Sequence, residues 1–421
     1  EETTQSFVAA ARRAQEAAFD FVELHAAHGY LISQFLCPAE NRRTDDYGGS
    51  LENRARFGLD ILRRIKKEVV GLPVIFRFNA DDLFPDGMPF EDSLRVARWA
   101  ETAGADAIHV TAGHYRSLPS AQVMTPPMAF PDAMFLDYAA RIKAVVSVPV
   151  IAVGRLGDPD TAKAAVDDGK ADFVALGRAL LADPDWVKKV EGGQAIRRCL
   201  ACNTCVNEMR DGNQLECLIN PVTGHESEYT GAAPPQGERI CVVGAGPAGL
   251  SYADLVADGN RVTVFERERY PGGAFRLVGK APLFQEVEAR EESFARYIAD
   301  MAQACRDKGV EFRHGVDVAR SPEVLADFDR IVFATGAQYR YGLGGLVPQL
   351  LNAGWGRSGP LKRLFGSPRL RNWFYYRARR GTGRSMIRFA RHGQKMIVIG
   401  DAARAGKSKE AIADAYRAAL E

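Results

Sequence analysis

The chain has 421 residues, 46% of them apolar and 26% charged, with a formal net charge of +2. That is material for two or three globular domains, and a charge so near neutrality gives no general case for nucleic acid as a partner. No apolar run reaches the roughly 18 residues of a membrane span, and the acidic start EETTQSF lacks the basic and apolar regions of a signal peptide, so a cytoplasmic address is expected.

Residues 4–17 read as an amphipathic helix and FDFVELH (19–25) as a buried strand. PVIFRFN (73–79), DAIHVT (106–111), PVIAVG (149–154) and DFVALG (172–177) are further short β-rich runs, separated by helical patterns such as LENRARFGLDILRRIKKEV. Five β units with four crossovers predict an α/β domain with a parallel sheet and helices outside it. Five strands do not close a (β/α)8 TIM barrel, and the expectation is the C-terminal part of one, with three units absent and the edge of residues 19–25 exposed.

ELHAAHGYLISQFLCP puts His25, His28 and Tyr30 at the C-terminal end of a parallel strand, where barrels of this kind carry their active sites. A turn after the strand lets the two imidazoles converge on one oxygen and polarise a carbonyl, while a nearby phenol delivers a proton. A His-x-x-His metal site is the rival and lacks an obvious carboxylate ligand. Arg77 is a charge inside an apolar strand, which calls for a partner: either a structural ion pair or a flavin N1/O2 edge that gathers negative charge on reduction. GHYRSLP adds His114 to the same mouth unless that loop is simply solvent-exposed. VGRLGDP (Gly154, Arg155) and LGRALLADP (Gly177, Arg178) put glycine and arginine after consecutive strands, a phosphate-binding pattern.

RRCLACNTCVNEMRDGNQLEC holds Cys199, Cys202, Cys205 and Cys217 in C-x2-C-x2-C-x11-C spacing. Spacing alone leaves zinc and an iron–sulfur cluster near parity, and the flanking cofactor-type modules favour the redox cluster. Cys37, Cys241 and Cys305 read as structural. A Gly/Pro-rich linker (230–238) then leads into RICVVGAGPAGLSYADLVADGNRVTVFERE, a strand, glycine turn, helix and strand with Gly244, Gly246 and Gly249 in G-x-G-x-x-G and Glu266 placed to accept from a ribose. DRIVFATGA and KMIVIGDAA are two more strands ending in turns, and Asp401 is placed to meet the ribityl or pyrophosphate side of a flavin dinucleotide. Between them, residues 341–395 hold twelve Lys/Arg and no acid, interleaved with Trp355, Phe365, Trp373, Phe374, Tyr375, Tyr376 and Phe389. With the chain at +2, the remainder is near −10. The segment is either a helical cover or a docking face for an acidic redox partner or an anionic surface.

HAAHGYLISQFLCPAENRRTDDYGGSLENRARF resembles the Old Yellow Enzyme family, and the continuation through the cysteines to GAGPAG resembles its multidomain branch containing 2,4-dienoyl-CoA reductase and trimethylamine dehydrogenase. The resemblance spans nearly the whole chain except 341–395. It implies a barrel domain (1–195) binding FMN, a [4Fe–4S] segment (196–230) and a Rossmann-like FAD-binding domain (238–421). By motif, His25 and His28 would hold substrate or oxyanion, Tyr30 would be the proton donor and His114 a catalytic histidine. Arg77, Arg155, Gly177 and Arg178 match FMN contacts, with Gly154 in the same turn as Arg155. The family's inserted NAD(P) domain has only about 60 residues in its place and no second glycine fingerprint, so NAD(P)H is left open as the donor. The expected activity is reduction of an activated C=C bond in an enone or enoyl thioester. The alternatives are oxidation of a methylated amine with electrons passing to an acidic electron-transfer flavoprotein, or a non-catalytic electron-transfer subunit.

Overall fold

A computed structural model describes residues 1–421 apart from 282, 285–286, 342, 356–361, 364–366 and 390–392. Two compact units divide the chain, Glu1–Leu176 and Gly177–Glu421.

The first unit is a parallel sheet of β1 (Val22–Ala26), β2 (Val74–Asn79), β3 (Ala107–Thr111), β4 (Val150–Ala152) and β5 (Phe173–Val174) in sequential order. This is the order that consecutive right-handed crossovers produce. All five strands fall where the β-rich runs predict them. Leu24, Phe76, Ile108 and Val150 align across four neighbouring strands and are 4% exposed or less. They share one core with the apolar stripes of helices Leu51–Glu68 and Phe90–Thr102. Burying each such side chain contributes about 1.5–3 kcal/mol. Ser50 caps the first of these helices by accepting from the Asn53 amide. Because side chains alternate along a strand, Glu23, His25, Arg77 and His109 occupy the other face of the sheet. β1 and β5 are the sheet's edges, and next to or on them Phe21 and Phe173 are 53% and 58% exposed, as anticipated for the first strand.

The second unit opens with helices Arg178–Ala182, Trp186–Glu191, Thr204–Arg210 and Glu226–Tyr229. It continues as β6 (Arg239–Val243), β7 (Arg261–Glu266), the hairpin β8 (Leu283–Phe284) and β9 (Val287–Glu288), β10 (Glu311–His314), β11 (Arg330–Phe333), the pair β12 (Ala337–Tyr339) and β13 (Arg379–Gly381), and β14 (Lys395–Val398). The main sheet runs β10-β7-β6-β11-β14, all parallel, so the strand order reverses between β6 and β11. Ligands of such sheets bind at that switch point, beyond the strands' carboxyl ends.

The cysteine segment is tied by charge to the helices of this unit. Arg198 pairs with Asp300 at 2.7 Å, and Arg197 lies over the Tyr416 ring and 3.9 Å from Asp254. Lys409, in the terminal helix Ser408–Leu420, bridges Glu208 and Glu216. Among the described residues no helix is long and apolar enough to cross a membrane.

Candidate active site and redox centre

In the first unit, strand register puts His25 beside Arg77 and Arg77 beside His109. Glu23, two residues before His25 and therefore on its face, reaches both neighbours. One carboxylate oxygen lies 2.6 Å from His109 Nδ1, and the other lies 3.4 Å from an Arg77 terminal nitrogen. Arg77 thus has the structural ion pair that its burial calls for, and still leaves its Nε buried without a hydrogen-bond partner. His25 Nδ1 and His109 Nε2 are in the same condition. Buried polar atoms are costly when their hydrogen bonds are left unmade, and here three of them stand in one row. Glu23 and His109 were not among the sequence candidates. The signal for His109 was present, an ionisable residue within the apolar run AIHVT, and is the same signal that singled out Arg77.

The turn after β1 behaves as expected of it. His28 takes a left-handed backbone conformation, φ 64°, with its amide donating to Asn79 Oδ1 at 3.1 Å. Its ring then stands edge-on to His25 at 5.3 Å between centroids, with Nε2 2.9 Å from the Thr111 hydroxyl. Tyr30 follows 5.1 Å from His25 and meets Tyr115 at 5.6 Å, both phenols half exposed. Burial first, and then the Arg77 cation, push His25 below the usual histidine value and take His28 down to about 3. Both imidazoles are therefore neutral hydrogen-bonding groups at ordinary pH.

His114 is not on an exposed loop. It is 1% exposed, bridges to His28 through backbone, and packs against Phe84. Its ring fills the space beside Gly29, where a Cβ would come within 2.7 Å of it. The Arg116 amide donates to His114 Nδ1 at 3.1 Å, while Nε2 is buried without a partner. Among the described residues, Cys37, Asp82 and His114 form a buried group whose ligand atoms lie within 4.8 Å of one another. Asp82 already accepts from the Asn79 side-chain amide and the Met88 N–H, one bond to each carboxylate oxygen, so its ligand atoms are engaged within the protein. Gly154 and Arg155 both have positive φ, and Arg155 pairs with Asp132 at 2.5 Å.

In the second unit, Gly177 precedes the helix that begins at Arg178. Arg178 donates to Asn203 Oδ1 and lines a small pocket with Cys199, Cys202, Cys205 and Cys217. The loop is shaped around the sulfurs: Ala201 and Asn203 adopt left-handed φ of 50° and 58°, the Ala201 amide donates to Cys199 Sγ at 3.3 Å, and Cys202 Sγ lies 3.3 Å from the Thr204 hydroxyl. Burial, reinforced by the neighbouring sulfurs, raises the Cys205 thiol to about 11 and Cys217 to about 12, so thiolates here need a cationic centre.

The three fingerprint glycines have separate duties. A Cβ on Gly244 would strike the Ala334 carbonyl at 2.5 Å, and one on Gly249 the Gly244 carbonyl at 1.9 Å. One on Gly246 meets only Gly273 Cα at 3.9 Å, so Gly246 leaves room at the N-terminus of helix Pro247–Val256 for a pyrophosphate. Glu266 accepts from the Ala245 and Glu268 amides at 2.8 and 2.9 Å, holding the turn from the end of β7. Asp401 accepts from Arg379 at 2.8 Å and from the Gly406 amide at 2.9 Å. Arg379 is thus one basic-segment cation that is buried and committed internally, whereas Trp355, Trp373 and Tyr376 are exposed at 58%, 41% and 40%. Phe365 lies outside the described residues. Cys241 and Cys305 are wholly buried, as expected.

Residues 1–196 match the profile of the NADH:flavin oxidoreductase / NADH oxidase family, and residues 242–279 that of an NAD(P)-binding Rossmann-like domain. The fingerprint read from sequence as an FAD site therefore matches a nicotinamide-dinucleotide module. The chain is 40% identical over 347 residues to the NADH oxidase of Thermoanaerobacter brockii, covering 80% of this chain and 52% of that protein. It is 34% identical over 361 residues to the cinnamate reductase of Clostridium sporogenes, covering 80% and 52%. The chain spans about half the length of these curated relatives. A solved 2-naphthoyl-CoA reductase complex superposes over 100% of this chain and 76% of that one, with a TM-score of 0.84 and 25% identity.

Proposed function

With residues 1–196 an FMN-dependent oxidoreductase domain of the NADH:flavin oxidoreductase / NADH oxidase type, joined to a Rossmann-like NAD(P)-binding module, we propose that the chain serves a multidomain flavin and iron–sulfur reductase of an activated C=C bond, in an enone or enoyl thioester. The observation that carries this reading is the row of unpartnered buried atoms, His25 Nδ1, Arg77 Nε and His109 Nε2, beside the neutral His28 and the accessible Tyr30. The cinnamate and 2-naphthoyl-CoA reductases named among its relatives support the substrate class.

FMN fits the donor set of that row, and when bound it supplies the hydride chemistry. The residues do the rest. Arg77 brings a fixed cation to the face where a flavin ring gains negative charge. His25 and His28, neutral because burial and Arg77 disfavour their protonation, hold the carbonyl oxygen without cancelling the charge that must build there. The Tyr30 hydroxyl delivers a proton to the α-carbon from the accessible side. In the second unit the four cysteines would hold a [4Fe–4S] cluster supplying one-electron steps, and the Gly246 turn would hold the pyrophosphate of a dinucleotide, FAD or NAD(P)H.

The exposed aromatics of the basic segment favour a second reading. In it the direction is reversed, a methylated amine is oxidised and electrons leave to an acidic flavoprotein. An anaerobic titration of the full-length protein separates the two. Flavin bleaching by NADH or NADPH that an enone reverses supports the reductase. Bleaching by a methylated amine and not by pyridine nucleotide supports the dehydrogenase, and a protein that retains no FMN sinks both. Iron and acid-labile sulfide analysis decides the cluster, with stoichiometric zinc as the contrary result.

A further inference from the structure

We propose that Glu23 is a positioning residue of the flavin site, holding Arg77 and His109 from below so that the free edge of each is offered, side by side, to the bound ring. The inference rests on the FMN reading above and concerns a residue whose side-chain hydrogen bonds, among the described residues, go to the two side chains it aligns.

The geometry is specific. Glu23 shares the face of His25 on β1, while Arg77 on β2 and His109 on β3 continue the row from His25. From two residues down its own strand, Glu23 divides its carboxylate between them, one oxygen to His109 Nδ1 at 2.6 Å and the other to Arg77 at 3.4 Å. An ionised carboxylate only accepts, so His109 Nδ1 carries a proton and donates it to Glu23. Arg77 Nε and His109 Nε2 are buried without hydrogen-bond partners, and His109 is only 5% exposed. Two unsatisfied polar nitrogens side by side suit the polar pyrimidine edge of a flavin, which presents carbonyls next to an N–H.

The charges agree with this arrangement. Burial opposes ionisation of Glu23, but His109 and Arg77 outweigh it and hold the carboxyl below its usual range. The groups facing Glu23 are Arg77, His109 and His25, and Arg77 helps to keep His25 neutral. Arg77 and Glu23 therefore balance, and Glu23 sets how much of the Arg77 charge the flavin senses.

The test uses the full-length protein loaded with FMN. Glu23→Gln keeps the shape and removes the charge, leaving Arg77 uncompensated. The ratio of reduced to oxidised flavin at a fixed potential is expected to rise about tenfold, a shift of about +30 mV for the two-electron couple. Glu23→Asp keeps the charge and is expected to shift the ratio less than threefold. An unchanged potential in Glu23→Gln, or equal shifts in both variants, overturns the proposal. If the wild type takes up no FMN, the reading beneath it fails instead, and the contact is decided separately by nitrogen-15 NMR of the histidines. There, His109 protonated at Nδ1 supports the alignment and a ring protonated at Nε2 alone overturns it. The same spectrum of wild type decides if Glu23→Gln does not fold.

Discussion

Arg178 donates a hydrogen bond to Asn203 Oδ1, and this contact fixes a guanidinium at the wall of the pocket that Cys199, Cys202, Cys205 and Cys217 line. A fixed cation stabilises the more negative, reduced state of any cluster held there. Replacing Arg178 with Leu is expected to remove on the order of 1–2 kcal/mol of that stabilisation. That corresponds to a fall of roughly 40–90 mV in a one-electron midpoint potential. Potentiometric titration monitored by EPR measures it, and a potential that stays in place or rises would contradict the assignment.

Tyr30→Phe removes the phenolic proton and leaves the ring that packs 5.1 Å from His25. General-acid catalysis is worth about 10²–10⁴-fold. Turnover of an enone should fall within that range while reduction of the flavin by pyridine nucleotide keeps its rate. Stopped-flow measurement of the two half-reactions shows which one changes, and an unaltered oxidative half-reaction removes Tyr30 from its role.

The glycine turn offers a contrast within four residues. Gly249→Ala forces a Cβ to within 1.9 Å of the Gly244 carbonyl and is expected to destabilise the unit by on the order of 1–3 kcal/mol. At Gly246 the new Cβ meets only Gly273 Cα at 3.9 Å, and its φ of −81° suits any residue. Gly246→Ala should therefore fold normally and lose dinucleotide affinity, by about tenfold or more for about 1.4 kcal/mol of lost contact. Thermal melts and binding titrations run on both variants check this, and the idea fails if the two behave alike.

The buried, neutral His28 makes stability depend on pH. Its folded pKa of about 3 lies below the unfolded value of about 6.5. Between those limits the unfolded chain binds the extra proton. Stability contributed by the neutral ring is thus complete above about pH 6.5 and declines as pH falls toward 3, by on the order of 1 kcal/mol per pH unit. His28→Asn should flatten the fall in melting temperature between pH 7 and pH 5. An identical slope in the variant would show that other groups carry it.

Sequence patterning located the strands and the motif-bearing turns well, because these are local matters. The runs ending at His25, Asn79, Thr111 and Gly154 announce themselves by β-branched composition and helical spacers, and a turn after the first of them follows from needing both imidazoles at one strand end. Less local features were read less completely. The candidate loop carrying His114 is buried against Gly29 and Phe84, which no periodicity in GHYRSLP indicates. Asp401, a candidate flavin contact, is held by Arg379 from 22 positions earlier in the chain.

What the amino-acid order determined by itself is the face each strand residue occupies, since a two-residue period places Glu23 with His25 and opposite Leu24 whatever lies beside them. It equally determined the glycine positions of the dinucleotide turn and the spacing of the four cysteines. Only the tertiary structure decided who stands across from whom. Glu23 meets Arg77 and His109 from 54 and 86 residues away. That meeting depends on how each crossover helix returns its strand to the sheet, a register set by packing over the whole unit, and a carboxylate read alone in VELHA carries no record of it.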